Sequence, residues 1–394
     1  MTWKLDVNDD ESVRLFSEQL ADANEPLSVE IGDAGLCPNR IVPIVALSDR
    51  FRRGGGHLAL TSPAGSASEA AIFGFISGKL APDTEIERPF GRVWRFDNGD
   101  ELGRIVNSCD LEINRTARLA KGVRLCFSWC LNEVMDNVLT HSEPGGRATG
   151  YVMVQYLPDE KLLKACVCDL GIGLMESFSG SQYSPVSAAD AIRLAVMRNV
   201  TSGNGQGNGL YGLKRLVGQS PSGRLHIRSA GAEYLFDSSR NIENARESWR
   251  VAGYSGTTIV DFQVRCDGEL SFANVFPESM SQVDLWSEAR ELDDGRIRVK
   301  VCDVTKSCGS RAAGGEVRTL VENLVEAERR KVVIDFCGLE NCSSGFVDEL
   351  LGKLVERYGF VAFSQRISFI NVQGIVGLLI NHSIAQRMAG QIGL

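Results

Sequence analysis

A chain of 394 residues is longer than one hydrophobic core usually supports, so two or three domains are expected. Apolar residues at 43% and charged residues at 23% fit an ordinary globular protein and exclude a low-complexity or fibrous one. The net charge of −8, with no stretch rich in Lys and Arg, gives no indication of a nucleic-acid interface beyond a local patch. Met1 to Glu11 is acidic and lacks the basic-then-apolar pattern of a secretory signal. No apolar run approaches the roughly 20 residues of a membrane helix, so the expectation is a cytoplasmic protein without a membrane partner.

The first segment, Met1 to Pro63, alternates strand and helix signals. Trp3 to Val7 has period two; Val13, Leu15, Phe16 and Leu20 mark a helix over Glu11–Leu20; Leu27 to Ile31 is a second strand. Ile41 to Phe51 is helical in spacing and Leu58 to Leu60 a third strand, which together predict a small α/β layer. From Ala64 to Pro89 Gly, Ser and Ala become frequent, and residues 64–100 read as a connector whose role the sequence leaves open.

The middle segment begins near Glu101 with two helical stretches. Strands follow at Ala148–Tyr156, Leu162–Cys168, Arg224–Ile227 and Thr257–Val264, interrupted by glycine-rich loops. The last segment shows strands at Arg296–Val301, Val332–Phe336 and Ile367–Ile370, with helices at Ala312–Arg329, Phe346–Tyr358 and Ile375–Met388. That order repeats the first segment, so two related α/β modules flank a different centre. The predicted fold class is α/β (α+β), divided into 1–90, 101–265 and 290–394.

Cysteine does not suggest a metal. Cys126/Cys130 and Cys166/Cys168 are close in sequence, but neither pair is followed by a second at zinc-site spacing, which leaves buried free thiols as the expectation.

Three motifs in the middle segment carry chemistry. On the helix Leu131–His141, Glu133, Asn137 and His141 recur every four residues and put a carboxylate, an amide and an imidazole on one face, as an ordinary surface stripe also could. The apolar strand Leu162–Cys168 ends in Asp169-Leu-Gly171-Ile-Gly173, where a carboxylate can accept from an exocyclic amine and the glycines let backbone approach a ligand; a plain tight turn would look similar. Gly203 to Gly209 is a glycine run, including Gly205 and Gly207, that leads through Leu210 into an apolar-periodic helix, whose free amides favour phosphate.

In this order, with 36 residues from Glu133 to Asp169 and 36 from Asp169 to Gly205, the motifs resemble the N, G1 and G2 boxes of the GHKL (Bergerat) ATPase superfamily. Gly256-Thr257 before Ile259–Phe262 resembles that superfamily's late Gly-Thr element. The resemblance implies ATP and Mg²⁺ as cofactors, with Asp169 reading adenine and Asn137 holding Mg²⁺. It also implies Glu133 as the catalytic carboxylate and Gly171, Gly173, Gly205, Gly207, Gly209, Leu210 and Thr257 in the ATP site. Met175 to Ser202 would be the lid over the nucleotide. Lys214 reads as a surface lysine before it reads as a phosphate ligand.

The absence of histidine between Glu101 and Leu131 argues against a sensor histidine kinase. Val332 to Phe346 instead resembles STAS domains of anti-sigma factor antagonists, in which the first serine of Asp-Ser-Ser-Gly is phosphorylated by a GHKL kinase. Ser343 matches that serine, Ser344 and Gly345 match the next two positions, and Cys342 replaces the Asp, which counts against phosphorylation. A serine that only caps the following helix is an equal reading of Ser343. The stretch Phe346 to Leu350 is closer to a STAS-like subfamily found beside GHKL ATPases. The first segment is STAS-like by strand–helix order alone, and its loop Leu36–Arg40 carries no serine.

The resemblance implies nucleotide-controlled partner switching, with an anti-sigma or STAS-type partner, or the chain's own STAS-like module, as serine-kinase substrate. The alternative is an ATP-gated homodimeric clamp in stress or phage defence. Homodimerisation is expected in either case, with the apolar stretch Val123–Trp129 as one motive.

Overall fold

The structure is a computed structural model and describes residues 2–7, 11–32, 38–62, 89–141, 148–198, 200, 209–275, 287, 290–339 and 341–392. It is an α/β protein of two compact units. One comprises 1–109, 126–265 and 272–278; the other comprises 110–125, 266–271 and 279–394. Within the described residues there is no helix long and apolar enough to cross a membrane.

The first unit holds two sheets. Strands β1 (Thr2–Leu5), β2 (Leu27–Ile31) and β3 (Leu58–Thr61) are parallel in sequence order, joined by helices Ser12–Ala21 and Pro38–Arg53. The second sheet has seven antiparallel strands. They are β4 (Trp94–Phe96), β5 (Gly150–Leu157), β6 (Leu162–Asp169), β7 (Arg224–Ser229), β8 (Ala232–Asp237), β9 (Ile242–Glu247) and β10 (Thr258–Arg265). Their spatial order is β4-β5-β6-β10-β7-β8-β9. The segment 1–62, read from sequence as part of a module 1–90, therefore has its own sheet but falls in the same compact unit as most of 101–265.

The reason is the helix Pro38–Arg53. Ile41, Val42, Ile44, Val45, Ala46 and Leu47 are all buried, a continuous run rather than one stripe. A helix apolar all round needs cover all round. Its side chains share one core with Val29, Ile31 and Leu60 of the parallel sheet and with Tyr151, Met153, Cys166, Cys168 and Ile259 of the large sheet.

The large sheet's other face takes the helix Val123–His141. Cys126, Phe127, Cys130, Leu131, Val134, Met135 and Val138 are buried at spacings of one, three and four. Phe127 meets Phe262 of β10 with ring centroids 5.4 Å apart, and Trp129 meets Phe272 edge-on at 6.3 Å. The apolar stretch that motivated a dimer interface is thus largely used in the chain's own core. Covered on both faces, β5 and β6 are nearly continuous in burial.

In the second unit, β11 (Ile297–Lys300), β12 (Val332–Asp335) and β13 (Ile367–Ile370) are again parallel in sequence order. The helix Arg311–Glu322 continues through a π turn at Asn323–Ala327, and Ser344–Val347 runs through Asp348–Gly352 into Lys353–Tyr358. Gly374–Ile392 closes the core. The Asn323 carboxamide donates to the carbonyls of Asn114 (2.8 Å) and Ala117 (3.0 Å) and accepts from the Leu119 amide (3.2 Å). Arg124 pairs with Asp110 at 2.7 Å, both side chains 3% exposed. The Asn323 bonds, with the Arg124–Glu328 pair, fix 110–125 onto the module. The helix Phe360–Arg366 and strands β8 and β9 are elements the sequence pattern did not show.

Phe262 is fully buried at the centre of the large sheet. Phe262→Ala is expected to cost roughly 3–5 kcal/mol in chemical denaturation, as for other buried aromatic truncations. A loss below about 1 kcal/mol would contradict the packing described.

Candidate functional site

Strand β6 delivers Asp169 to the end of the large sheet, opposite Gly150 of β5 and Thr258 of β10. The side chain is 6% exposed, and its Oδ1 accepts from the Gly171 amide at 2.9 Å, so the turn after the strand folds around the carboxylate. Beyond it, Gly173 has φ of +79° and starts the helix Gly173–Ser177.

The turn 253–257 closes against this loop backbone to backbone. A Cβ on Gly256 would lie 2.3 Å from the Gly171 carbonyl oxygen and 2.4 Å from Ile172; one on Gly173 would lie 2.7 Å from the Gly256 oxygen. Only glycine fits there. Thr257, buried, donates its hydroxyl to the Tyr254 carbonyl at 2.7 Å. Its neighbour Thr258 takes the position across from Asp169, and its Oγ1 lies 3.0 Å from Ser229 Oγ, which accepts from the Leu174 amide at 2.9 Å. Ser229 and Thr258 were not singled out from sequence; only the register of β7 against β10 reveals them.

Glu133 and Asn137 lie one turn apart on Val123–His141, and the first residue of the helix Gly209–Gln219 reaches them. A Cβ on Gly209 would sit 3.2 Å from Asn137 Nδ2 and 3.3 Å from Glu133 Oε2. Residues 76 apart in sequence are thereby side by side. Burial, reinforced by the neighbouring Asp136 charge, pushes Glu133 up to about 7. Leu210 follows on the same helix, half-buried. Gly205 and Gly207 lie outside the described residues, as does the His141 side chain.

Between the second and third motifs, Gly173–Ser177 and Ala188–Ala195 pack their own small cluster of Phe178, Ala191 and Val200 with Leu174, Met175 and Tyr183. Arg193 donates to the Ala245 carbonyl at 2.6 Å and the Ala189 amide to Glu247 at 3.2 Å, which ties this segment to β9. Lys214 pairs with Glu243 at 2.7 Å and lies over the Phe236 ring, a surface partnership. The thiols of Cys126, Cys130, Cys166 and Cys168 are buried.

In the second unit Ser343 is the N-cap of Ser344–Val347, its hydroxyl accepting from the Phe346 amide at 3.0 Å. Asp348, close to this loop, is held below the usual carboxylate range by Arg387 first and Arg311 second. Arg311 also lies against Gly345, with its Cγ 3.1 Å from where a Cβ would be.

Residues 313–376 match the family model of a STAS-like domain of unknown function (DUF4325). The C-terminal module therefore carries a STAS-like domain, with β11 outside the matched stretch. Among solved structures, the topoisomerase IV ATP-binding domain of Francisella tularensis in complex with a small-molecule inhibitor aligns at 12% identity and a TM-score of 0.23. That alignment covers 44% of this chain and 42% of the other. No curated protein matches the chain.

A carboxyl raised by burial destabilises the fold progressively as pH climbs from its unfolded value near 4.5 through about 7. Glu133→Gln is therefore expected to gain melting temperature over the native chain at pH 8 and to lose most of that gain at pH 5. A difference independent of pH would contradict the buried carboxyl.

Proposed function

We propose that the Asp169 end of the large sheet binds Mg-ATP and that nucleotide occupancy governs how the STAS-like domain engages a protein partner. The observation that carries this reading is the meeting of Gly209 with Glu133 and Asn137, alongside the glycine-only closure of 171–173 on Gly256. Separate sequence motifs converge in two clusters, each with a carboxylate and closely approaching backbone. In this reading Asp169 accepts a hydrogen bond from adenine, Thr257 and Thr258 close that pocket, and the amides at the start of Gly209–Gln219 face phosphate. The Asn137 oxygen is a hard donor suited to magnesium, which keeps several waters and needs few protein ligands. When bound, magnesium would supply positive charge against the phosphates. Glu133, held near neutrality, is placed to orient or deprotonate the attacking hydroxyl or water.

Partner switching with serine phosphorylation would place the acceptor at Ser343, beside Arg311 and at a helix N-terminus, where a phosphate is favoured. The second reading, an ATP-gated dimeric clamp with water as acceptor, is favoured by one observation. The Ser343 hydroxyl is already engaged as a cap.

Asp169→Asn is expected to remove the thermal stabilisation that Mg-ATP gives the native chain while leaving the unliganded melt within a few degrees. A normal shift in that variant would sink the adenine assignment. Incubation with γ-labelled ATP separates the two readings. Label retained on Ser343 supports the switch, and free phosphate with none on residues 342–346 supports the clamp.

A further inference from the structure

Strand β10 has two faces. Thr258, Val260, Phe262 and Val264 lie on the side of Asp169 and Phe127, while Ile259, Asp261 and Gln263 lie on the reverse side. That reverse face holds a cavity of about 370 Å³, within the first unit and away from the proposed nucleotide site. Two rows of side chains cross its floor in register. One is Asp261–His226–Leu235–Asn244 and the other Ile259–Arg228–Glu233–Arg246. Val13, Asn39 and Arg40, from the helices that cover this face, complete the wall.

The second row satisfies itself. Glu233 accepts from Arg246 at 2.6 Å and from Arg228 at 3.2 Å, and His226 Nε2 lies 3.3 Å away. The His226 contact, then the arginines, hold Glu233 down to about 2 despite its burial. Arg228 is also stacked over Trp249, its guanidinium carbon 4.6 Å from the ring centre, which fixes its plane.

Asp261 is different. Among the described residues no hydrogen bond or ion pair reaches its carboxylate, although it sits on a central strand. Burial pushes it up to about 6 against the pull of His226, Lys164, Arg224 and Arg228. The side chain is partly buried on the cavity floor, and a carboxylate there without a protein donor is open to a ligand that brings one. The cavity lining thus sets three guanidinium groups against two carboxylates, one of them still short of a donor. Such a site favours a group that is anionic and carries a proton of its own. A carboxylate at neutral pH is anionic but has no proton to give. Hydrogen phosphate and phosphate monoesters have both, their last proton leaving near neutrality.

We infer that this reverse-face cavity is a binding site for a small phosphate-bearing ligand, held by Arg40, Arg228 and Arg246 with one proton shared between the phosphate and Asp261. The volume lies within the range of small-molecule sites, so a sugar phosphate fits as well as the free ion. Sulfate has the size and charge of phosphate but no proton at neutral pH, so Asp261 should reject it.

The test is calorimetric titration of the full chain with inorganic phosphate, glucose 6-phosphate and sulfate. Both phosphates are expected to bind more than about tenfold tighter than sulfate, the scale of one hydrogen bond to a charged group. Asp261→Asn should remove the preference for phosphate over sulfate. Arg246→Ala, a truncation at a 70% exposed side chain that should fold normally, should weaken both phosphates about tenfold. Asp169→Asn should change neither, which separates this site from the proposed nucleotide site. The inference is overturned by no phosphate binding, by equal binding of sulfate in the native chain, or by binding that Arg246→Ala leaves intact. It is equally overturned if Asp169→Asn abolishes the phosphate signal.

Discussion

The antiparallel pairing of β6 with β10 is the constraint on which the candidate site depends. Its register sets Asp169 against Thr258 and lets the turn before β10 close on the turn after β6. The contact between those turns is backbone on backbone, with no space for a Cβ at Gly256. A shift of one residue would turn every side chain of β10 to the other face. Phe262 would leave Phe127, and Asp261 would be driven among the apolar residues of the Val123–His141 helix.

This sidedness also explains why two polar regions coexist in one sheet. The face carrying Asp169 is packed by a helix with its own carboxylate and amide. The reverse face is packed by the N-terminal helix Pro38–Arg53, whose apolar run covers β5, β6 and β10. Over β7, β8 and β9 the lining of the cavity becomes charged. The proposed nucleotide chemistry and the proposed phosphate site thus follow from the same alternation of side chains along β10. The charged groups differ in how they are tolerated. Glu233 is surrounded by cations, whereas Glu133 and Asp261 have their acidities weakened by burial.

Much of this was legible in the sequence where periodicity or glycine carries it. The spacing of Glu133 and Asn137, the strand ending at Asp169 and the alternating strands and helices of both α/β modules are local features, and the structure has them at the expected places. What was not legible is non-local. The strand Ile242–Glu247 is exposed at five of six positions, so it has no apolar alternation to betray it. That 1–62 would share a core with the large sheet could be suspected only from the all-round apolarity of Ile41–Leu47. Thr258, rather than Thr257, facing Asp169 is a matter of register. The apolar stretch Val123–Trp129 reads the same whether it meets a second subunit or, as here, Phe262 and Phe272.

The central claim is that nucleotide occupies the face formed by Asp169, Gly256, Glu133 and Gly209. Hydrogen–deuterium exchange of the full chain with and without Mg-ATP tests it most directly. The account predicts slowed exchange confined in the first unit to residues 131–139, 169–177, 209–213 and 254–258, with β8 and β9 unchanged. Protection centred on β7, β8 and β9, or no protection at saturating Mg-ATP, would contradict it.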